Sequence, residues 1–226
     1  MGKKGIISRM SGQIFGSCLT FASGSKASAP GQIEVKDLDI FLDIINKYFQ
    51  ENSKLEKTNI ILVGFMGTGK SYISEKLSKL LKIKKIDTDQ YIELKENKTV
   101  DKIFSIYGEE YFRKCEKDTL VELSNENDII ISCGGGIVIK DENIELMKQM
   151  GKVILLTASP STIYERVRNS QSRPILNDNM NEEYIATLMD KRKERYLKAA
   201  DIIINTDNKT GEEICEDIIK KLKLIK

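Results

Sequence analysis

From residue 59 onward, short apolar runs alternate with segments in which apolar residues recur every three or four positions. The runs at 60–63, 84–86, 128–132, 152–156 and 201–205 are too short for helices, and each leads into loop residues or a helix start, so they read as strands. Residues 72–81, the stretch from Gln90, 159–168, 182–199 and the stretch from Thr210 read as helices. Pro160 takes a first helical position, and Ile214, Ile218 and Leu222 lie on one face of the last helix. Strand and helix in regular alternation predict an α/β domain with a five-stranded parallel sheet flanked by helices. Before residue 59 the pattern differs. Residues 35–49 carry Leu38, Ile40, Phe41, Ile44, Ile45, Tyr48 and Phe49 on one broad apolar face, an amphipathic helix expected either to pack on the following domain or to self-associate. Residues 51–58 are polar and charged and read as a linker, which gives an N-terminal piece at 1–50 and a main domain at 59–226.

Composition narrows the function more than the fold. The chain has 226 residues, enough for one domain and an appendage, and its 40% hydrophobic and 31% charged content is that of a soluble globular protein. A net charge of +2 implies neither nucleic acid nor membrane as partner, and no apolar run approaches a membrane span. Cys18, Cys115, Cys133 and Cys215 are far apart, so reduced thiols and a cytoplasmic location are expected, and the chain is expected to be monomeric. There is no histidine, so proton transfer must fall to carboxylates, lysine, tyrosine or water. Phosphoryl transfer, which depends mainly on positioning and charge, tolerates that absence.

The stretch from Gly64 to Ser71 reads G-x-x-x-x-G-K-S between the first strand and the first helix, the context in which this motif cradles phosphates. Its glycines allow sharp turns that aim backbone N–H groups at an anion on the positive end of the helix. Gly67, Thr68, Gly69, Lys70, Ser71 and Tyr72 are therefore nucleotide-binding candidates. Lys70 would reach the outer phosphates of ATP and Ser71 would hold Mg²⁺. A glycine turn that binds nothing is the bland alternative.

Other positions suggest an acceptor site. Asp87 and Asp89 lie two apart where the second strand ends, a repulsive pairing unless a cation or a ligand hydroxyl intervenes. One acid would then serve Mg²⁺ and the other an acceptor hydroxyl, although Asp89 could also simply cap the next helix. Arg113 offers a planar fork suited to a carboxylate, or else a surface ion pair with Glu109 or Glu116. Gly134, Gly135 and Gly136 follow the third strand, and three bare glycines suggest that backbone comes very close to something. Cys133 beside them reads as an ordinary buried thiol. Residues 169–180 are polar and long for a compact connection, either a lid or a plain flexible loop.

Taken in series, these motifs resemble shikimate kinase: Gly64 to Ser71; Asp87-Thr-Asp89; Gly108-Glu-x-x-Phe112-Arg113-x-x-Glu116; Gly134 to Gly136; Arg173-Pro174; and Arg192-x-x-x-Tyr196-x-x-x-Ala200. The resemblance implies that Asp89, Arg113, Gly135, Gly136 and Arg192 bind shikimate, with Asp89 on the hydroxyl to be phosphorylated and both arginines on the carboxylate. It implies that Glu116 holds Arg113 in place, that Asp87 and Ser132 reach Mg²⁺ through water, and that Arg166 stacks on adenine. Arg173 would come from the lid onto the transferring phosphate. Catalysis would rest on Lys70, Asp89 and Arg173, with ATP and Mg²⁺ as cofactors. The family usually has Pro-Leu before the tyrosine, where this chain has Glu194-Arg195, which leaves open whether Arg192 or Arg195 faces inward.

The N-terminal piece points elsewhere. Residues 1–33 contain no acid but carry Lys3, Lys4, Arg9 and Lys26, the bias of a transit peptide, and Ile6 stands where a myristoylation signal needs Ser or Thr. The wording from Met1 to Arg9, Phe15 to Ser17, Leu19 to Phe21 and Ser28 to Gln32 resembles the C-terminal end of type I 3-dehydroquinate dehydratase. That family implies substrate contacts for Arg9 and Gln32, with Ser28 in a covering loop. Its Schiff-base lysine and histidine belong upstream of this stretch, so no dehydratase activity is expected from this chain alone. The expected function is ATP-dependent phosphorylation of shikimate. The alternatives are another small-molecule kinase, such as a gluconate kinase, and a nucleotide-binding module whose N-terminal piece completes a dehydratase barrel.

Overall fold

The structure, a computed structural model, describes residues 59–168 and 181–224. The N-terminal piece with Arg9, Ser28 and Gln32, the helix expected at 35–49, the linker, and the lid segment with Arg173 lie outside the described residues.

Five strands form one sheet: β1 (Asn59–Val63), β2 (Lys84–Asp87), β3 (Ile129–Ser132), β4 (Gly151–Thr157) and β5 (Ile202–Asn205). Their order is β2-β3-β1-β4-β5, and every pairing is parallel. Each strand falls within a residue or two of the run that predicts it. The third starts at Ile129 because Asp128 is in the left-handed region, with φ 55°, where a strand cannot continue. β1 and β3 are buried at every position, as interior strands covered on both faces must be. β5 alternates buried and exposed, as an edge strand does.

Alternation along the strands sorts the core into two layers. Ile61, Val63, Ile131, Val153 and Leu155 face one side, where helices α4 (Asp141–Met150), α5 (Pro160–Val167) and α6 (Glu182–Ala199) add Ile144, Met147, Ile163, Ile185 and Tyr196. Ile60, Leu62, Ile130, Ile154 and Ile204 face the other, against Ile73 and Leu77 of α1 (Lys70–Leu81) and Ile214 and Ile218 of α7 (Gly211–Leu224). Leu222 is partly buried against this second layer.

Between β2 and β3 lie α2 (Thr88–Glu96) and α3 (Val100–Leu123), with a small core of their own formed by Ile92, Ile103 and Phe112. α3 is two helical stretches joined at a kink, because Gly108 has φ 82° and ψ 173°. A Cβ on Gly108 would meet nothing within 4 Å, so the glycine serves the backbone angle and not a tight contact. The kink sets Glu109 at the start of the second stretch, which carries Arg113 and Glu116.

Candidate active site

β1 delivers the glycine loop to the centre of the sheet's carboxyl edge, where ligands collect in folds of this kind. Gly64, Gly67 and Gly69 all have positive φ. A Cβ at Gly64 would lie 2.4 Å from the Leu156 carbonyl oxygen, and one at Gly67 would lie 2.9 Å from Val167, so the loop is wedged between β4 and α5. The Thr68 hydroxyl donates to the Phe65 carbonyl at 2.8 Å. Gly69 begins α1 without any side-chain cap, which leaves the first N–H groups of the helix available to an anion. α1 starts at Lys70, two residues before the apolar periodicity shows it. The Lys70 ammonium folds over the loop, donating to the carbonyls of Gly64 at 2.8 Å and Phe65 at 3.0 Å.

Arg166 joins the loop to the far side of the sheet. Its guanidinium donates to the Gly67 carbonyl at 3.2 Å, to the Thr206 hydroxyl at 3.0 Å and to the Thr206 carbonyl at 3.0 Å. Tyr72 is exposed on α1, beneath the Lys76 ammonium.

On the other side of the loop, three oxygens converge. Ser71 and Ser132 both donate to the same oxygen of Asp87, at 3.1 and 3.0 Å. Two hydroxyls and a carboxylate at the mouth of a phosphate loop form a hard, oxygen-only donor set, which fits a hydrated Mg²⁺. Among the described residues no group of three or more His, Cys, Asp or Glu side chains gathers, so an ion here would rely on hydroxyls, water and phosphate.

Of the two acids, Asp87 and not Asp89 caps the next helix. Asp87 ends the strand and is itself the cap of α2, accepting from the N–H groups of Asp89 at 3.2 Å and Gln90 at 3.4 Å. Asp89 is not a cap and not at the strand end; it sits in the first turn of α2. Two acids so close cannot be told apart by pattern, because either could reach N–H groups two or three residues on. The consequence is that Asp89 is left without that role. Its Oδ1 is buried and has no hydrogen-bond partner among the described residues. Burial, with the Asp87 charge in support, pushes its carboxyl up to about 6, against the pull of Lys70 and Arg113.

The glycine triplet is bare because side chains lie against it. A Cβ on Gly134 would be 2.3 Å from Asp89 Oδ1, and one on Gly136 would be 2.2 Å from Arg113 Nη1. At Gly135 the nearest atom would be 3.7 Å away. The Gly134 N–H donates to the Thr88 hydroxyl at 2.9 Å, and the Gly135 carbonyl accepts from Tyr196 at 2.6 Å and from Arg192 at 3.3 Å. The close approach expected of this loop is thus already made within the protein, by Asp89 and Arg113.

Arg113 is no surface pair: its side chain is 9% exposed. It donates to Glu116 at 2.7 Å and to Glu109 from Nε at 3.1 Å and from Nη2 at 2.7 Å. Burial disfavours its charge, but the two glutamates outweigh that and raise its pKa. Glu116 is fully buried and burial pushes it up to about 7 despite Arg113. Arg192 turns toward the glycine loop, whereas Arg195 pairs with Asp141 at 3.3 Å on the surface. Cys133 is buried beside Met147, and burial pushes its thiol up, as expected of an inert thiol. Sequence reasoning assigned nothing to the Thr88 hydroxyl, which acts through Gly134, far along the chain, a contact that no local pattern displays.

A family model for shikimate kinase matches residues 66–223, most of the chain. The chain belongs to the shikimate kinase family. The shikimate kinase of Sulfurihydrogenibium sp. is 40% identical over 165 residues, covering 73% of this chain and 98% of that protein. Among solved structures, the shikimate kinase from Acinetobacter baumannii in complex with shikimate superposes with a TM-score of 0.71 at 30% identity, covering 77% of this chain and 98% of the other. The shikimate kinase from Aquifex aeolicus gives 0.64 at 33% identity, covering 74% and 96%. Ahead of the kinase domain, residues 1–48 match the type I 3-dehydroquinase family. This shikimate kinase family member therefore carries two family signatures in one chain. Among its described residues no helix is long and apolar enough to cross a membrane.

Proposed function

We propose that the chain transfers the γ-phosphoryl group of ATP to the 3-hydroxyl of shikimate. The observation that carries this reading is the pairing across one glycine loop of Asp89, a carboxylate with one buried and unpartnered oxygen, with a buried guanidinium, Arg113. One suits a hydroxyl and the other a carboxylate, the two groups that a hydroxylated acid presents. The A. baumannii relative, solved with shikimate, supports the choice of acid.

In this reading Gly67, Thr68, Gly69, Lys70 and Ser71 hold the phosphates of ATP, and Tyr72 and Arg166 flank the nucleotide. Bound Mg²⁺ would neutralise charge on the phosphates, held by Ser71 and, through water, by Asp87 and Ser132. Asp89 orients the 3-hydroxyl and takes its proton. Arg113 and Arg192 grip the carboxylate beside Gly135 and Gly136. Arg173 lies outside the described residues, and the family resemblance assigns it to the transferring phosphate. The three described cysteines are free, in keeping with a cytoplasmic enzyme.

The deciding experiment is ADP release with and without shikimate, run against gluconate and related hydroxy acids. ADP release that does not depend on shikimate would overturn the assignment. In the same assay Arg113→Ala should raise the shikimate KM roughly tenfold to a hundredfold, the loss of charge-assisted hydrogen bonds worth ~1.5–3 kcal/mol. An unchanged KM would remove Arg113 from the carboxylate site.

A further inference from the structure

The two glutamates on Arg113 are unlike, although each is within one helical turn of it. Glu116 is fully buried and holds Nη1, whereas Glu109 is 61% exposed and a single oxygen of it accepts from both Nε and Nη2. A carboxylate on the Nε and Nη2 edge occupies a side on which an arginine can bind an acid in bidentate fashion. Glu116 cannot leave without stranding a buried charge. Glu109 can, because water receives an exposed carboxylate at little cost and such exposed pairs contribute little.

We propose that Glu109 is a placeholder for the substrate's carboxylate: it neutralises Arg113 in the empty site and is displaced when a carboxylate-bearing acceptor arrives. This rests on the reading of Arg113 as the carboxylate site. The Gly108 kink is what makes the arrangement possible. It starts a new helical stretch at Glu109, four residues before Arg113, so the glutamate lies one turn below the guanidinium and at the mouth of the site. Nη1 is already held by buried Glu116, and a Cβ on Gly136 would meet Nη1, Cζ and Nη2, so backbone lies close against the guanidinium there. An incoming acid therefore competes with Glu109 and not with Glu116. The placeholder also acts on specificity. An acceptor without a carboxylate cannot compensate Arg113 for the lost partner, so it gains nothing from displacing Glu109.

The test uses the full chain at saturating ATP. Glu109→Gln should lower the shikimate KM roughly two- to fivefold, the scale of a lost exposed ion pair. The methyl ester of shikimate, which has no carboxylate, should show no such gain. A shikimate KM that is unchanged or raised overturns the proposal, as does an equal shift for the ester or a parallel change in the KM for ATP, which would mark a general structural effect. Arg113→Lys, measured alongside, reports on the underlying reading. If it raises the shikimate KM while Glu109→Gln does nothing, only the placeholder falls; if it leaves that KM unchanged, the carboxylate clamp falls and the placeholder with it.

Discussion

Replacing Asp89 with asparagine should lower kcat by on the order of 10²–10⁴, the usual range for loss of a positioned general base, while the KM for ATP stays near its original value. Asparagine keeps the shape and can still touch a hydroxyl, but it cannot take the proton. Near-normal turnover in this variant would remove Asp89 from the chemistry. The free enzyme supplies a second signature. With its carboxyl pushed up to about 6, Asp89 must lose a proton to act, so kcat/KM for shikimate should fall as pH drops through that region. Stability should move the other way. Because the folded-state value is raised above the ordinary 3.8, folding favours the protonated form, and the contribution of Asp89 to stability is lost as pH rises from that value through about 6. At neutral pH Asp89→Asn should therefore melt at a higher temperature than the parent while turning over far more slowly. Together, these two changes identify a residue held in place for function at the expense of the fold.

Gly136→Ala is expected to cost on the order of 10²–10³ in kcat/KM for shikimate, from overpacking of ~1–3 kcal/mol added to the weakened carboxylate contact. The new methyl would stand 2.2 Å from Arg113 Nη1 and 2.7 Å from Cζ and Nη2. A long side chain usually swings away from such a clash. Here the guanidinium is fastened to buried Glu116, so it must either break that pair or push into the space an acceptor needs. The Gly136 backbone has φ −99°, which alanine adopts freely, so the effect is one of volume alone. Gly135→Ala, with nothing nearer than 3.7 Å, should fold with an unaltered melting temperature. Wild-type kcat/KM in Gly136→Ala would mean that Arg113 does not have to stay where it lies.

The sheet was legible because its strands are short apolar runs, the central β1 and β3 buried at every position, a signal that needs no knowledge of partners. Polar element ends were harder. α1 begins at Lys70, but its first residues serve the phosphate loop and carry no apolar rhythm. Gly108 was visible as a motif letter and not as a kink, since a positive φ leaves no mark on neighbouring residues. The glycine triplet announced a close approach without naming what approached. Asp89 meets Gly134 from 45 positions back along the chain and Arg113 meets Gly136 from 23, beyond the reach of periodicity. Arg192 and Arg195 lie three apart on a helix and share a face, so only the placement of Gly135 and Asp141 separates them.

The small core of Ile92, Ile103 and Phe112 stands apart from the two layers that clad the sheet. Substitutions within that inset can be absorbed without repacking the strands that carry the glycine loop. Because the Arg113 guanidinium lies over the Phe104 and Phe112 rings of this inset, a substitution there would be felt on the acceptor side before the nucleotide side.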